Sequence, residues 1–499
     1  MSRLASIALL SLTSTALAAC GDNLEGVPGT IEPEELYAGR CASPRTGIDP
    51  STGVDFADTK GSPLDEKLFL RSWIDDTYLW YHEVPRSDPT KFADPLDYFD
   101  ALKTTVITAS GKPKDQFHFT YVTTDWVSLS QSGVEGGYGL QWALVSRTPP
   151  RKLLVALVDP VSPAATAGLA RGAEVTTIDG VNVAQGNDVD TLNHGISPGV
   201  NEAHTFVVVD RVGATPRTVT LTSANITSTP VQNVRTLPAP NDKVGYFLFN
   251  DHIATAEKGL VTAVTQLRDA AITDLIIDIR YNGGGYLDIA AQLAYMVAGP
   301  TATAGKTFER EMFNDKYATI DPIIGQPLVP TPFLDKTAGF SVNRGQPLPF
   351  LGLSRVFVLT GSGTCSASEA VMNGLAGANV EVIQVGSTTC GKPYGFYPQD
   401  NCGTTFFAIQ FQGVNEKGFG DYADGFVPGG VLHGCKVADD FTHALGDPAE
   451  ARLAAALQYR ANQTCPPASA AATAVNPLSA VEAEIVKPIW RQNRIMTHR

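Results

Sequence analysis

Thr364-Cys-Ser-Ala-Ser-Glu369 stands between two kinds of sequence. Before it, Val356-Phe-Val-Leu-Thr360 is an unbroken apolar run of strand length. After it, residues 369–375 read as a helix, with Ala370, Val371 and Leu375 apolar. Ser366 therefore falls where a buried strand turns into a helix. Such a junction shows a side chain at the sheet's carboxyl edge and aims unpaired N–H groups at whatever lies above it. A nucleophile placed there has an oxyanion donor built in, the N–H of Ala367. A second apolar run, residues 380–386, leads into Ser387-Thr-Thr-Cys-Gly-Lys392. If the two strands are parallel neighbours, Lys392 leaves the sheet at the same edge as Ser366. An amine desolvated beside a serine loses its proton more readily and can serve as general base, a variant of the serine-hydrolase constellation. Small-residue turns and solvated lysines are common in α/β chains, so the chemistry needs support from the flanking sequence.

That support lies upstream. Gly245-Tyr-Phe-Leu-Phe249 reads as a strand, residues 258–270 as an amphipathic helix, and Asp274-Leu-Ile-Ile-Asp-Ile-Arg280 as a buried strand. Tyr281-Asn-Gly-Gly-Gly285 follows, then a helix over 288–297. Strands alternating with helices imply a mainly parallel sheet, hence an α/β core. Consecutive glycines let the backbone approach a ligand closely. No Gly-Lys-Ser/Thr follows them, which argues against a phosphate loop. Residues 300–350 are proline-rich and read as an irregular insertion able to cover the site. Beyond Lys392, residues 404–412 alternate as a strand, residues 424–428 form a turn, and a last helix runs from residue 445 to about 459. Residues 466–475 are rich in Ala, Pro and Ser and read as mobile.

The amino-terminal half has a different texture. Arg3, the apolar residues 7–17 and Leu17-Ala-Ala-Cys20 make a targeting segment resembling a bacterial lipobox, in which Cys20 is lipidated after cleavage. No later stretch has the 18 uninterrupted apolar residues of a membrane-spanning helix. Residues 21–60 read as a flexible tether. From Pro63, Phe69, Trp73 and Trp80 with Leu70, Ile74, Tyr78 and Tyr81 fall at helical spacing, an aromatic stripe best read as core. Residues 136–225 form a short-strand unit, with Ser162-Pro-Ala-Ala-Thr-Ala-Gly-Leu169 as a brief helix and Val175-Thr-Thr-Ile-Asp-Gly-Val-Asn182 as a strand and turn. The net charge of −14, from 37 basic and 51 acidic residues, argues against nucleic acid as a partner. Without Cys20, six cysteines remain, enough for three disulfides with 15 possible pairings. Their spacings match no zinc site, and no metal or cofactor is expected.

The unit at 136–225 resembles a PDZ domain, with Glu174 where that family usually has Asp. The resemblance implies that the loop of Gly137, Tyr138, Gly139, Leu140 and Gln141 receives a peptide's terminal carboxylate while the peptide adds to the sheet edge. The order of motifs over residues 65–460 is Asp-Ile-Arg-x-Asn-Gly-Gly-Gly, then Ser-Ala-Ser-Glu, then Val-Gly-x-Thr-x-x-Gly-Lys. It resembles the carboxyl-terminal processing peptidases, or tail-specific proteases, whose core is related to the crotonase/Clp-protease fold. The resemblance implies Ser366 as nucleophile rather than Ser368, Lys392 as base, and Ala367 with Gly283 or Gly284 as oxyanion donors. The implied protein is an exported bacterial lipoprotein that cuts protein or peptide substrates and faces the periplasm or cell exterior, anchored to the membrane by lipid. Its expected parts are a signal peptide (1–20), a tether (21–60), a helical domain (61–130), the PDZ domain (131–228), the peptidase core (229–465) and a tail (466–499). A catalytically weak peptide-binding lipoprotein is the alternative.

Two departures stand out. The family's lysine-orienting glutamine falls at Phe396, with Gln399 and Asp400 as nearby substitutes. The histidine used by a related branch has no counterpart over residues 246–250, and His252 reads as a surface residue. A Cys390–Cys402 disulfide across the proline- and glycine-rich lysine loop would hold Lys392 in place of that glutamine, with Cys365–Cys390 as its rival.

Overall fold

The computed structural model describes residues 31–49, 52–108, 110–467, 483–486 and 494–496. Residues 1–20 and the lipidation candidate Cys20 lie outside this range. Among the described residues no helix is long and apolar enough to cross a membrane.

Helix α1 (Pro63–Thr77) starts on a capping box in which Ser62 Oγ accepts from Asp65 N and the Asp65 carboxylate accepts from Ser62 N. Pro63 takes the first helical position, where no N–H is required. The aromatic stripe is core: Phe69, Leu70, Trp73 and Ile74 are buried with Tyr78, Phe99, Phe117 and Phe406. The same cluster takes in Cys365 and Phe396, so the helical segment packs directly on the serine turn and the lysine loop. The tether reading of 21–60 fails from residue 31 onward. Arg40–Cys41 pairs in parallel with Thr59–Lys60, Arg45 grips Asp58 through two bonds of 2.7 and 2.8 Å, and Cys41 is bonded to Cys402. There the glycines and prolines mark turns in an ordered segment.

Five antiparallel strands form the body of a seven-stranded sheet: β1 (Leu140–Ser146), β2 (Lys152–Val158), β3 (Glu174–Ile178), β4 (Ala203–Val209) and β5 (Arg217–Thr222), in the order β5-β4-β3-β2-β1. Trp142, Leu153, Val175, Ile178, Phe206 and Val208 fill its core.

The second sheet is built from β6 (Val231–Thr236), β7 (Val244–Phe249), β8 (Asp274–Asp278), β10 (Arg355–Thr360), β11 (Glu381–Gly386) and β12 (His433–Lys436), in that spatial order. Every pairing from β7 to β12 is parallel, and only β6 runs antiparallel. β7 to β11 are almost wholly buried, as sheets covered by helices require. The covering helices are α2 (Ala256–Asp269), α3 (Leu287–Thr303), α4 (Ala367–Gly377) and α5 (Ala451–Asn462). α3 breaks at Gly299, where φ is +70° ahead of Pro300. The last helix starts at Ala451 and not near residue 445, because Glu450 caps it by accepting from Leu453 N. β10 and β11 are parallel neighbours, Leu359 facing Val385, so the segments carrying Ser366 and Lys392 leave the same edge.

Between β8 and α3 lies the short strand β9 (Gly284–Tyr286). Far down the chain, β13 (Glu484–Val486) pairs antiparallel with β1, and β14 (Arg494–Met496) pairs in parallel with β9. The segment expected as a tail is thus paired in two places.

A buried charge cluster joins the two sheets. Arg280 is fully buried and binds Asp278 at 2.9 Å, Asp439 at 2.7 Å and Glu450 at 2.8 Å. Arg171 of the small unit reaches the same Asp439 at 2.7 Å, and Tyr281 donates its hydroxyl to Asp439 at 2.5 Å. The surrounding arginines hold the Asp439 carboxyl well below the usual carboxylate range despite its burial. Removing one partner of such a cluster typically costs about 3–5 kcal/mol, since the rest stay buried and uncompensated.

Candidate active site

The β10–α4 turn is held from several sides. Thr364 Oγ1 donates to Ile279 O at 2.8 Å and accepts from Gly361 N at 2.9 Å. Gly361 has no alternative: a Cβ there would sit 2.6 Å from Arg280 O. Cys365 N and Ser368 Oγ both donate to Asn282 O, each at 3.1 Å. Ser366 sits at φ +59°, ψ −122°, a conformation that non-glycine residues rarely adopt and that costs about 1–3 kcal/mol. Its Oγ is buried and has no hydrogen-bond partner among the described residues. Ser368, by contrast, is occupied in holding the turn to the Asn-Gly-Gly-Gly segment. Ala367 opens α4, so its N–H is among those the helix cannot pair internally.

One carboxylate connects this turn to the lysine loop. Glu369 Oε2 accepts from Ser366 N at 2.9 Å and from Lys392 N at 2.8 Å. Its Oε1 accepts from Gly391 N at 2.9 Å and from Thr389 Oγ1 at 2.5 Å. Burial pushes the Glu369 carboxyl up, and these four donors oppose the shift without cancelling it. A Cys365–Cys390 disulfide, Cα–Cα 5.2 Å, ties the same two segments covalently. The expected Cys390–Cys402 bond is not formed. Cys402 lies in the turn between Gln399–Asn401 and Thr404–Phe407 and reaches Cys41, near where Asn401 Oδ1 accepts from Gly39 N. Cys435 pairs with Cys465. Cys365, Glu369 and Cys390 bring three potential metal-binding atoms within 4.8 Å of one another, but the disulfide uses up both thiols.

Lys392 is fully buried, with Nζ 4.1 Å from the Phe396 ring centre and 5.0 Å from that of Phe117. Aromatic faces thus flank the amine where a glutamine was expected. Asp400 is no substitute: it accepts from Thr405 Oγ1 at 2.5 Å in the neighbouring hairpin.

Asn282 organises the third wall. Its Oδ1 accepts from Gly284 N at 2.9 Å and lies 3.1 Å from His252 Nδ1, while its Nδ2 donates to Phe249 O at 3.0 Å. The Gly284 N–H is therefore taken. Gly285 cannot carry a side chain, because a Cβ would lie 2.4 Å from His252 O. The surface reading of His252 is wrong. It is fully buried, and desolvation pushes its imidazole down to about 3. His252 also donates its backbone N–H to Gly284 O at 3.1 Å and accepts from Tyr286 N at 2.8 Å, which fixes β9.

Ser366, Ala367, Lys392 and the glycines at 283 and 284 thus converge on one edge of the sheet. Residues 137–141 lie apart from it, in the small unit. Tyr138 is buried there, and Gly139, at φ +71°, sits where a Cβ would meet Ser162 at 2.3 Å. Three positioning residues were not assigned from the sequence. Glu369 was findable, because Ser366-Ala-Ser-Glu369 is a capping-box pattern. Asn282 and Phe117 gave no such signal.

Two family models match the chain: peptidase family S41 over residues 243–396, and the peptidase S41 N-terminal domain over residues 65–119. The carboxyl-terminal-processing protease of Picosynechococcus sp. is 27% identical over 275 residues, 53% of this chain and 56% of that protein. The protein of the same name from Synechocystis sp. is 26% identical over 266 residues, 53% of this chain and 55% of that one. The chain thus spans about half the length of these relatives. A crystal structure from Bacteroides fragilis, assigned to the S41 proteases, superposes with a TM-score of 0.61 at 22% identity, covering 79% of this chain and 97% of that one. At that identity the likeness concerns the fold.

Peptide mapping of unreduced protein tests the covalent part of the site. It should yield joined fragments for Cys365–Cys390, Cys41–Cys402 and Cys435–Cys465. A fragment joining Cys390 to Cys402, or free thiols at Cys365 and Cys390, would contradict the geometry.

Proposed function

We propose that this chain, a member of peptidase family S41, is a serine endopeptidase acting on exported or unfolded proteins through an acyl-enzyme on Ser366. The observation that carries the reading is the shared Glu369 oxygen, which bonds the backbones of Ser366 and Lys392 at once. Ser366 Oγ attacks the scissile carbonyl, and the neutral Lys392 amine takes its proton and passes it to the leaving amine. The N–H groups of Ala367 and Gly283 hold the oxyanion. Water, deprotonated by Lys392, then releases the acyl group and regenerates the serine. The core is of the crotonase/Clp-protease type. The small unit is a PDZ domain whose residues 137–141 take the substrate's terminal carboxylate while the peptide adds to the sheet edge. Phe396, standing where the family has glutamine, favours the second reading, a peptide-binding protein with weak catalysis.

Casein hydrolysis by Ser366→Ala should fall to background. Lys392→Ala should lose roughly a hundred- to ten-thousand-fold, and Ser368→Ala should keep substantial activity. The wild-type rate should rise with pH until the lysine is neutral. Undiminished turnover in Lys392→Ala sinks the mechanism. In the same assay, a peptide amidated at its carboxyl terminus should be cut more slowly; equal rates would give the 137–141 loop another role.

Lipidation at Cys20 would anchor the protein to a membrane on its exported side. A Cys20→Ser variant should lose metabolic fatty-acid labelling and move to the soluble fraction. A wild type already unlabelled and soluble would remove the anchor from the account.

A further inference from the structure

The amine of Lys392 is closed in by two rings from distant parts of the chain. Phe396, four residues on, has its ring centre 4.1 Å from Nζ, and Phe117 of the helical unit has its ring centre 5.0 Å away. Lys392 and Phe396 are 0% exposed and Phe117 is 4% exposed. Other rings back the first of them. Phe396 meets Phe119 edge-on at 5.8 Å and Phe407 edge-on at 5.2 Å, and Phe119 stacks on Phe407 at 4.4 Å. Phe117 is fixed through its backbone. Its N–H donates to Asp115 Oδ1 at 2.8 Å, and Asp115 Oδ2 accepts from the hydroxyl of Tyr78, the residue that ends α1, at 2.7 Å. The strand Phe119–Val122 then pairs with Thr404–Phe407, in the hairpin that follows the lysine loop. The helical unit is thus built into the wall around the amine.

Only a neutral amine can take the serine's proton. Burial disfavours the ammonium and can lower a lysine's midpoint by about 3–5 pH units, whereas a ring face attracts the ammonium and is worth about one. For a fully buried amine the first effect is the larger, so the rings act by keeping water out. We propose that Phe117 is a positioning residue for the base: the helical unit closes a dry aromatic wall on Lys392, and that wall holds the amine in its proton-accepting form. The proposal deepens the peptidase reading and rests on it. It gives the amino-terminal unit a part in the chemistry. The titratable groups around the lysine loop are Glu369 of α4, Asp115 and His118 beside Phe117, Tyr394, and Tyr422, Asp421 and Asp424 from the segment that packs on Gly391. All of them remain when Phe117 is replaced, so a change in the Lys392 titration belongs to the ring.

The test follows the amine directly, through the ε-carbon resonance of Lys392 in the full chain carrying 13C-labelled lysine. Its absence in Lys392→Met assigns it. Phe117→Ala leaves a ring-sized space with an amine in its wall, which admits water, and the midpoint should rise by one pH unit or more. Phe117→Leu refills the space without a ring face and should titrate at the wild-type midpoint or up to about one pH unit below it. Phe396→Gln puts an amide in the opposite wall, should also raise the midpoint, and serves if Phe117→Ala does not fold. In casein hydrolysis the rate–pH curve of Phe117→Ala should move to higher pH by the same amount, whereas a merely structural role would lower the rate equally at every pH. An unmoved midpoint in whichever of Phe117→Ala and Phe396→Gln folds overturns the proposal. So does a rise in Phe117→Leu equal to that in Phe117→Ala, or a wild-type midpoint at or above the value of about 10.4 for an exposed lysine. The resonance reports the amine whether or not peptides are cut, so the two readings separate. A chain without hydrolysis whose midpoints move as stated loses the peptidase reading and keeps the wall.

Discussion

The carboxylate of Glu369 is the contact on which the site depends. It is buried, yet it takes four donors from two segments separated by α4 and β11, and one of its oxygens bonds the backbones of both Ser366 and Lys392. Leaving a buried N–H unpaired costs about 1–3 kcal/mol, so the carboxylate resists any separation of the turn from the lysine loop. The same bonds offset the strain of Ser366 at positive φ. The Cys365–Cys390 disulfide acts on the same pair of segments, and so does the aromatic cluster containing Cys365 and Phe396. A hydrogen-bonded carboxylate, a covalent bond and apolar packing all constrain one distance. The proposed catalysis would need such redundancy, because a misplacement of about 1 Å can cost two orders of magnitude in rate.

The Arg280 cluster extends that order to the rest of the molecule. Arg280 lies two residues past the end of β8, just before the glycine turn, and its carboxylate partners come from β8 and from the segments before α5. Arg171 brings the small sheet onto the same Asp439. The β1 edge and β9 are therefore set by one buried network. Residues 484–486 pair with β1 and residues 494–496 with β9.

Much of this was legible in the sequence where a local pattern and a long-range contact agree. The apolar runs at 356–360 and 380–386 became adjacent parallel strands, because fully buried strands carry little but apolar residues. The glycine turn was readable because Gly285 has no room for a Cβ. Errors arose where a distant partner decided the outcome. His252 looks like a loop residue, but β9 folds back over it. Residues 31–60 look like a tether, but Cys41 finds Cys402 across 361 positions. Cys390 and Cys402 flank one loop, and loop closure favours that pairing. The approach of the serine turn to the lysine loop, which no local spacing encodes, gives Cys390 to Cys365 instead.

The most direct test of the account is the labelling rate of Ser366 by a serine-directed phosphonate in Glu369→Gln compared with wild type, with circular dichroism and the unfolding midpoint recorded on both. The amide keeps the shape of the side chain but turns one acceptor oxygen into a donor, so Glu369 can no longer serve both pairs of donors. The account predicts a folded protein whose Ser366 reacts roughly 10- to 100-fold more slowly, as a misplaced nucleophile and base should. A folded variant that labels at the wild-type rate would show that the carboxylate does not position the pair, and would contradict the account.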